Sequence, residues 1–164
     1  MNVTLMIGIP GSGKSTEAEH LMRNARNMGF FIEYISADKI REELYGDASV
    51  QGDGGKVFSI FYSRLNSSIE GKPDQTWIFI DNTSVSRKAR KDIFKILIDN
   101  QPKVGLVEVV EMHTPVEICI DRQTKRDRKV PEDVIRRMHS NFRSFERDEL
   151  DGFAGIISRK INEI

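Results

Sequence analysis

Nine residues close to the start of the chain, Gly8-Ile9-Pro10-Gly11-Ser12-Gly13-Lys14-Ser15-Thr16, restrict its fold more than any other stretch. They fit the spacing GxxxxGK[ST] at every fixed position, a loop that turns its backbone N–H groups inward around an anion. Gly8, Gly11 and Gly13 supply backbone angles that residues with a Cβ resist. Such a loop belongs between a strand and a helix. Val3-Thr4-Leu5-Met6-Ile7 reads as a buried strand, and Ala18, Leu21, Met22 and Ala25 recur at helical spacing just after the loop. The helix N-terminus then lies under the phosphates with its partial positive charge. Lys14 can reach the β- and γ-phosphates, and the Ser15 hydroxyl can ligate Mg²⁺ between them. The spacing therefore predicts a nucleoside-triphosphate site, with ATP and Mg²⁺ as cofactors. Gly8, Pro10, Gly11, Ser12, Gly13, Lys14, Ser15 and Thr16 form its nucleotide cradle.

With 164 residues the chain is expected to be one domain with its own core. Lys and Arg balance Asp and Glu at 25 each, so net charge gives no blanket attraction to nucleic acid or membrane. The single Cys119 excludes an internal disulfide and fits a reducing compartment. No leader is recognisable, and no window approaches the roughly 18 continuous apolar residues of a membrane span. The expectation is a soluble, cytoplasmic protein with no membrane partner. Nothing in the sequence sets its oligomeric state.

After a stop at Gly29, residues 30–35 read as a second strand. Residues 47–55, rich in Gly and Asp, read as an exposed, mobile loop. Val57, Phe58, Phe61, Leu65 and Ile69 form a helical stripe, residues 77–80 a third strand, and Val85, Ala89, Ile93, Ile96 and Leu97 another stripe. Residues 104–112 read as a strand, 115–126 as a helix, and Pro131-Glu132-Asp133 as the opening of the next helix, before a last strand at 155–161. Strands alternating with helices imply an α/β fold of three layers with a parallel sheet of about five strands. Ligands bind beyond the carboxyl ends of such strands. The glycine loop, Asp38 and Asp81 all follow strands, so all three converge there.

Phosphoryl transfer needs a positioned acceptor, charge neutralisation and a carboxylate near the attacking hydroxyl. Asp38 has two readings, helix N-cap and general base. Arg41 lies one helical turn further and suits an anionic acceptor. Asp81 ends an apolar strand, a pattern in which the carboxylate, with Ser15, holds the metal shell. Between Asp121 and Arg143 stand Arg122, Lys125, Arg126, Arg128, Lys129, Arg136, Arg137 and Arg143 against Asp127, Glu132 and Asp133. Arg136, Arg137 and Arg143 read as a solvated face. Arg122 and Arg126, four apart on one helical face, suit a lid that closes over ATP. His20, His113 and His139 lack metal-ligand spacing, and nothing marks Cys119 as a nucleophile.

These blocks together resemble the kinase module of the phage-type polynucleotide 5′-hydroxyl kinases, within the adenylate-kinase-like P-loop phosphotransferases. The resemblance rests on residues 8–16, on Ser36-Ala37-Asp38-Lys39-Ile40-Arg41, on Ile80-Asp81-Asn82-Thr83 with Arg87 and Arg90, and on Asp121-Arg122-Gln123-Thr124-Lys125-Arg126 leading to residues 130–138. It implies a single P-loop kinase domain over residues 1–164, built on a P-loop NTPase fold with an Arg-bearing helical lid. It also implies ATP-dependent transfer to the 5′-hydroxyl of a nucleic acid. Asp38 would be the base, Arg41 would hold the acceptor's 3′-phosphate, and Lys14 and Arg126 would be catalytic. Arg122 and Arg126 would close over the nucleotide, and Asp81 would support the substrate side, orienting Arg126 rather than the metal. Ala37, Lys39 and Ser84 depart from the family's pattern on the acceptor side. A small metabolite, nucleoside or nucleotide therefore stays open as the acceptor, as does, at lower rank, a regulatory ATPase module. No phosphatase motif of the DxDGT type is present, so 3′-phosphatase activity is not expected.

Overall fold

Strand β1 (Asn2–Ile7) occupies the middle of a five-stranded sheet, and every residue in it after Asn2 is buried. Val3, Leu5, Met6 and Ile7 are fully buried, as a strand covered on both faces requires. The computed structural model describes residues 1–50, 52–127 and 129–162. Gln51 of the expected loop and Arg128 of the basic segment lie outside the described residues.

The loop after β1 leads into α1 (Lys14–Asn27), which Met28 and the left-handed Gly29 end. Strand β2 (Phe31–Ser36) runs into α2 (Ala37–Tyr45), followed by α3 (Gly54–Gly71), β3 (Thr76–Asp81) and α4 (Arg87–Asp99). Then come β4 (Leu106–His113), α5 (Val116–Thr124), α6 (Glu132–Asn141), a 3-10 turn (Arg147–Leu150) and β5 (Ile156–Asn162). All pairings are parallel, in the order β2-β3-β1-β4-β5. One face carries α2, α3 and α4, whose Ile40, Phe61, Leu65, Ile93 and Leu97 pack on Val3, Leu5, Val107 and Val109. The other face carries α1, whose Ala18, Met22 and Ala25 meet Met6, Phe79 and Val110. Each large side chain so enclosed stabilises the fold by about 1.5–3 kcal/mol relative to exposure.

Four local expectations change. Ser36, not Asp38, caps α2: its hydroxyl accepts from the Lys39 N–H at 3.4 Å, and Asp38 sits inside the first turn. Gly54 and Gly55 are helical, because Asp53 caps α3 by accepting from the Lys56 N–H at 3.2 Å. Val85 precedes α4 and Ala89 is exposed, and Arg90 takes the buried position on that helix beside Ile93, Phe94 and Leu97. Helix α5 ends at Thr124, so Arg126 lies in the turn beyond it and shares no helical face with Arg122. No helix of the described residues is long and apolar enough to cross a membrane.

Candidate active site

The glycine loop is held from behind. Gly11 and Gly13 adopt left-handed φ values of 83° and 93°. A Cβ on Gly11 would run into the Cys119 carbonyl of α5, so only glycine fits there. The Gly8 N–H donates to the Thr83 carbonyl at 3.0 Å, tying the loop to the segment after β3. The buried Thr114 hydroxyl donates to the Ser12 carbonyl at 2.8 Å, and Arg122 Nη1 donates to the Gly11 carbonyl at 3.2 Å. Carbonyl and N–H of one peptide point in opposite directions. Pinning the Ser12 carbonyl outward therefore turns the Gly13 N–H toward the cleft, next to the unpaired N–H groups of the first turn of α1. A Cβ on Gly8 would stand 2.5 Å from Ser12 Oγ, itself buried without a hydrogen-bond partner.

In front of the loop lies a cleft of about 1060 Å³. Pro10, Gly11, Gly13, Lys14 and Ser15 form one wall, and Asp38 and Arg41 of α2 stand on another. Asp81, Asn82, Thr83, Ser86 and Lys88 close the side toward α4. Gln123, Arg126, Lys129, Val130, Val134, Arg137 and Met138 cover it from the α5–α6 side, and Phe58 and Tyr62 of α3 complete the lining. Gly8 and Ser12 lie buried beneath the loop, and Thr16 is exposed on α1 outside the cleft lining. Arg122 binds the back of the loop, so of the two arginines expected over the nucleotide only Arg126 faces the cleft. Arg136, Arg137 and Arg143 are exposed as expected, Arg136 paired with Glu117 and Glu132, and Arg137 also lines the cleft.

The charges are arranged around Lys14. Burial pushes its ammonium below the ordinary lysine value, Asp81 and Asp38 oppose that shift, and Arg126 reinforces it. Its Nζ donates to the Ile9 carbonyl at 3.5 Å. Asp38, about half exposed, accepts from Arg41 Nη1 at 3.1 Å. The Arg41 Nε is buried with no acceptor among the described residues. Asp81 Oδ2 accepts from Ser15 Oγ at 2.7 Å and from the Tyr34 hydroxyl at 2.5 Å. Tyr34 escaped sequence reasoning because a tyrosine in a strand carries no motif. Lys88, Phe58 and Tyr62 escaped it because each is ordinary on an amphipathic helix. Cys119 is buried against the loop and donates to the Thr114 carbonyl at 3.7 Å. His113 pairs with the buried Glu111 at 2.7 Å, away from the cleft lining.

A parallel sheet in this order, with a glycine loop entering α1 and a carboxylate at the end of β3, defines a P-loop NTPase-like α/β protein. The sequence model of a family described as an AAA domain matches residues 3–145, and the chain belongs to that family. It is 28% identical over 138 residues to an adenylate kinase of Nautilia profundicola, a match covering 79% of this chain and 70% of that relative. Chaetomium thermophilum Kti12, solved with ADP-AlF3, shares the fold with a TM-score of 0.68 at 14% identity over 96% of this chain and 88% of that one. A chain of the Pnkp1/Rnl/Hen1 complex shares it with a TM-score of 0.60 at 19% identity, covering 79% of this chain. The chain thus spans 40% of that neighbour's length. The protein is a P-loop enzyme of the kinase class.

Proposed function

We propose that the protein transfers the γ-phosphoryl group of ATP to the 5′-hydroxyl of a nucleic acid end, with Asp38 as general base. The observation that carries this reading is the Asp38–Arg41 pair on the cleft wall facing Lys14, with the Arg41 Nε buried and unpaired. A carboxylate beside a guanidinium with an unsatisfied N–H suits an acceptor that brings both a hydroxyl and an anionic group. The lining of the cleft supports a nucleotide over a simple sugar. Phe58 and Tyr62 offer aromatic surface, while Lys88, Lys129 and Arg137 add positive charge to a chain of zero net charge.

In this mechanism the inward N–H groups of the loop and Lys14 hold the β- and γ-phosphates. The left-handed Gly11 and Gly13, which bring bare backbone to the cleft wall, fit a polyphosphate. Ser15 and Asp81 are the oxygen donors suited to Mg²⁺, which takes few protein ligands beside phosphates and water and, when bound, neutralises charge on the transferred group. Arg41 fixes one oxygen of Asp38, and the carboxylate takes the proton of the attacking hydroxyl as the new P–O bond forms and the bond from the γ-phosphorus to the bridging β-phosphate oxygen breaks, releasing ADP. Arg126 reaches in from the turn after α5 to meet charge developing on the phosphoryl oxygens.

Labelled γ-phosphate should move from ATP to a 5′-hydroxyl oligonucleotide. Asp38→Asn should cut that rate at least about 10²-fold, the usual contribution of a positioned base, while ADP binding is kept. Wild-type protein that binds ATP yet labels no 5′-hydroxyl end overturns the reading. The likeness to adenylate kinases supports a second reading, a free nucleotide as acceptor, and nucleoside monophosphates in the same assay separate the two.

A further inference from the structure

Two hydroxyl groups from different elements converge on one oxygen of Asp81. Ser15 Oγ, from the first turn of α1, donates to Oδ2 at 2.7 Å. The Tyr34 hydroxyl, from β2, donates to the same oxygen at 2.5 Å. The sheet register makes this possible. Tyr34 pairs with Phe79, two residues before Asp81, so all three side chains rise on the face that carries α1. Asp81 is buried, and Lys39 Nζ lies 4.9 Å from the Tyr34 ring centroid. A carboxylate oxygen can only accept, so in this contact the Tyr34 hydroxyl is the donor.

We propose that Tyr34 is a positioning residue for the metal side of the site, locking the Asp81 carboxylate against Ser15. This rests on the reading above, in which nucleotide and Mg²⁺ occupy the loop. A serine hydroxyl has one proton and two lone pairs, so it ligates a cation well only while its proton is held elsewhere. Asp81 Oδ2 holds that proton. A carboxylate turns readily about its terminal torsion, and one hydrogen bond from an exposed helix turn does not fix it. The second donor comes from the neighbouring strand, within the sheet itself. With Tyr34 in place, the Ser15 lone pairs stay turned toward the cation. Without it, Asp81 rotates and the Ser15 proton loses its fixed acceptor. The sequence-level choice for Asp81, metal support against orientation of Arg126, is then decided on the metal side. Both donors on Asp81 come from the α1 face, and among the described residues no hydrogen bond joins Arg126 to Asp81.

The test is Tyr34→Phe, which removes one hydroxyl and leaves the ring packed near Trp77 and Phe79. ADP binding is measured by calorimetry with and without Mg²⁺, and Mn²⁺ binding to the ADP complex by electron paramagnetic resonance. In the variant, metal-free ADP affinity should stay within about twofold of wild type, while cation affinity of the ADP complex falls about tenfold, as expected for a lost partner of a metal ligand. Asp81→Asn should weaken cation binding too, and adding Tyr34→Phe to it should cost nothing further, because the two act through one carboxylate. Unchanged cation affinity in Tyr34→Phe overturns the proposal. So does an equal loss of ADP affinity with and without metal, which would mean a role in folding alone. Wild-type protein whose ADP binding ignores both cations overturns the nucleotide–metal reading itself, a separate result from a variant that merely matches wild type.

Discussion

Replacing Arg90 with methionine tests the buried joint behind the cleft. Arg90 is fully enclosed, and its guanidinium meets Glu149 through Nε–Oε1 at 2.8 Å and Nη2–Oε2 at 2.9 Å. Its Nη1 also donates to the carbonyls of Ser84 at 2.9 Å and Arg143 at 3.0 Å. Arg90 therefore ties α4 to the loop after β3 and to the segment returning from α6. Methionine fills the stem but strands the Glu149 side chain, only 5% exposed, together with both carbonyls. Removing one partner of such a pair costs about 3–5 kcal/mol. Set against a total stability of about 5–15 kcal/mol, this is a large fraction. At about 2–4 °C per kcal/mol for a chain of this size, the midpoint should fall by about 6–20 °C. Urea and thermal unfolding followed by circular dichroism measure it, with the urea slope checked for constancy. The double variant Arg90→Met/Glu149→Leu removes the stranded charge and should recover at least about half of the loss. A single variant that loses less than about 1 kcal/mol, or a double variant no more stable than the single, refutes the argument.

Two further outcomes follow from the loop. Gly11→Ala places a Cβ at φ 83° against the Cys119 carbonyl; it should lower stability by about 2 kcal/mol and abolish ADP binding, and a variant that binds ADP normally would show that the loop tolerates the shift. Lys14 titrates below 10.5 in the folded protein, so between that depressed value and 10.5 the unfolded state binds more protons and stability rises with pH. Phosphates brought against Lys14 favour its charged form, so ADP binding in that alkaline window should take up protons; calorimetry in buffers of different ionisation enthalpy would show it, and zero or opposite proton exchange would refute it.

What the sequence disclosed was local. The loop, its strand and its helix lie within residues 1–27, and their signals are spacing and glycine, both readable without neighbours. Cap was one of two readings of Asp38, and sequence alone does not separate it from Ser36, because Asp and Ser cap equally well. The choice fell to Ser36 because β2 stays in register with β3 as far as the Ser36–Asp81 pair and releases the chain only there. The Gly- and Asp-rich composition of residues 47–55 signals a loop, which at Gly54 and Gly55 the Asp53 cap overrides. Arg90 was invisible for a different reason. A charged residue on the buried face contradicts the helical pattern unless its partner is known, and Glu149 lies 59 residues away. Tyr34 and Asp81 are likewise 47 residues apart.

The same distinction separates donor from acceptor recognition. The wall that faces the phosphates is one continuous loop, so a nucleotide could be inferred before any fold was known. The rest of the cleft is assembled from α2, α3, the start of α4 and α6, each giving two or three side chains whose meeting is set by the sheet order. Kti12 and the Pnkp1/Rnl/Hen1 chain share that sheet with this protein at 14% and 19% identity, which leaves most of those side chains free to differ. Acceptor identity therefore cannot be carried across by fold. In the function proposed above it rests on the Asp38–Arg41 pair and on the unpaired Arg41 N–H. An acceptor with no anion near its hydroxyl would leave that N–H buried and unsatisfied, at a cost of about 1–3 kcal/mol. One that brings a phosphate removes the penalty and gains a charge-assisted hydrogen bond, so phosphorylated alcohols should outcompete neutral ones even where the sugar and base are the same.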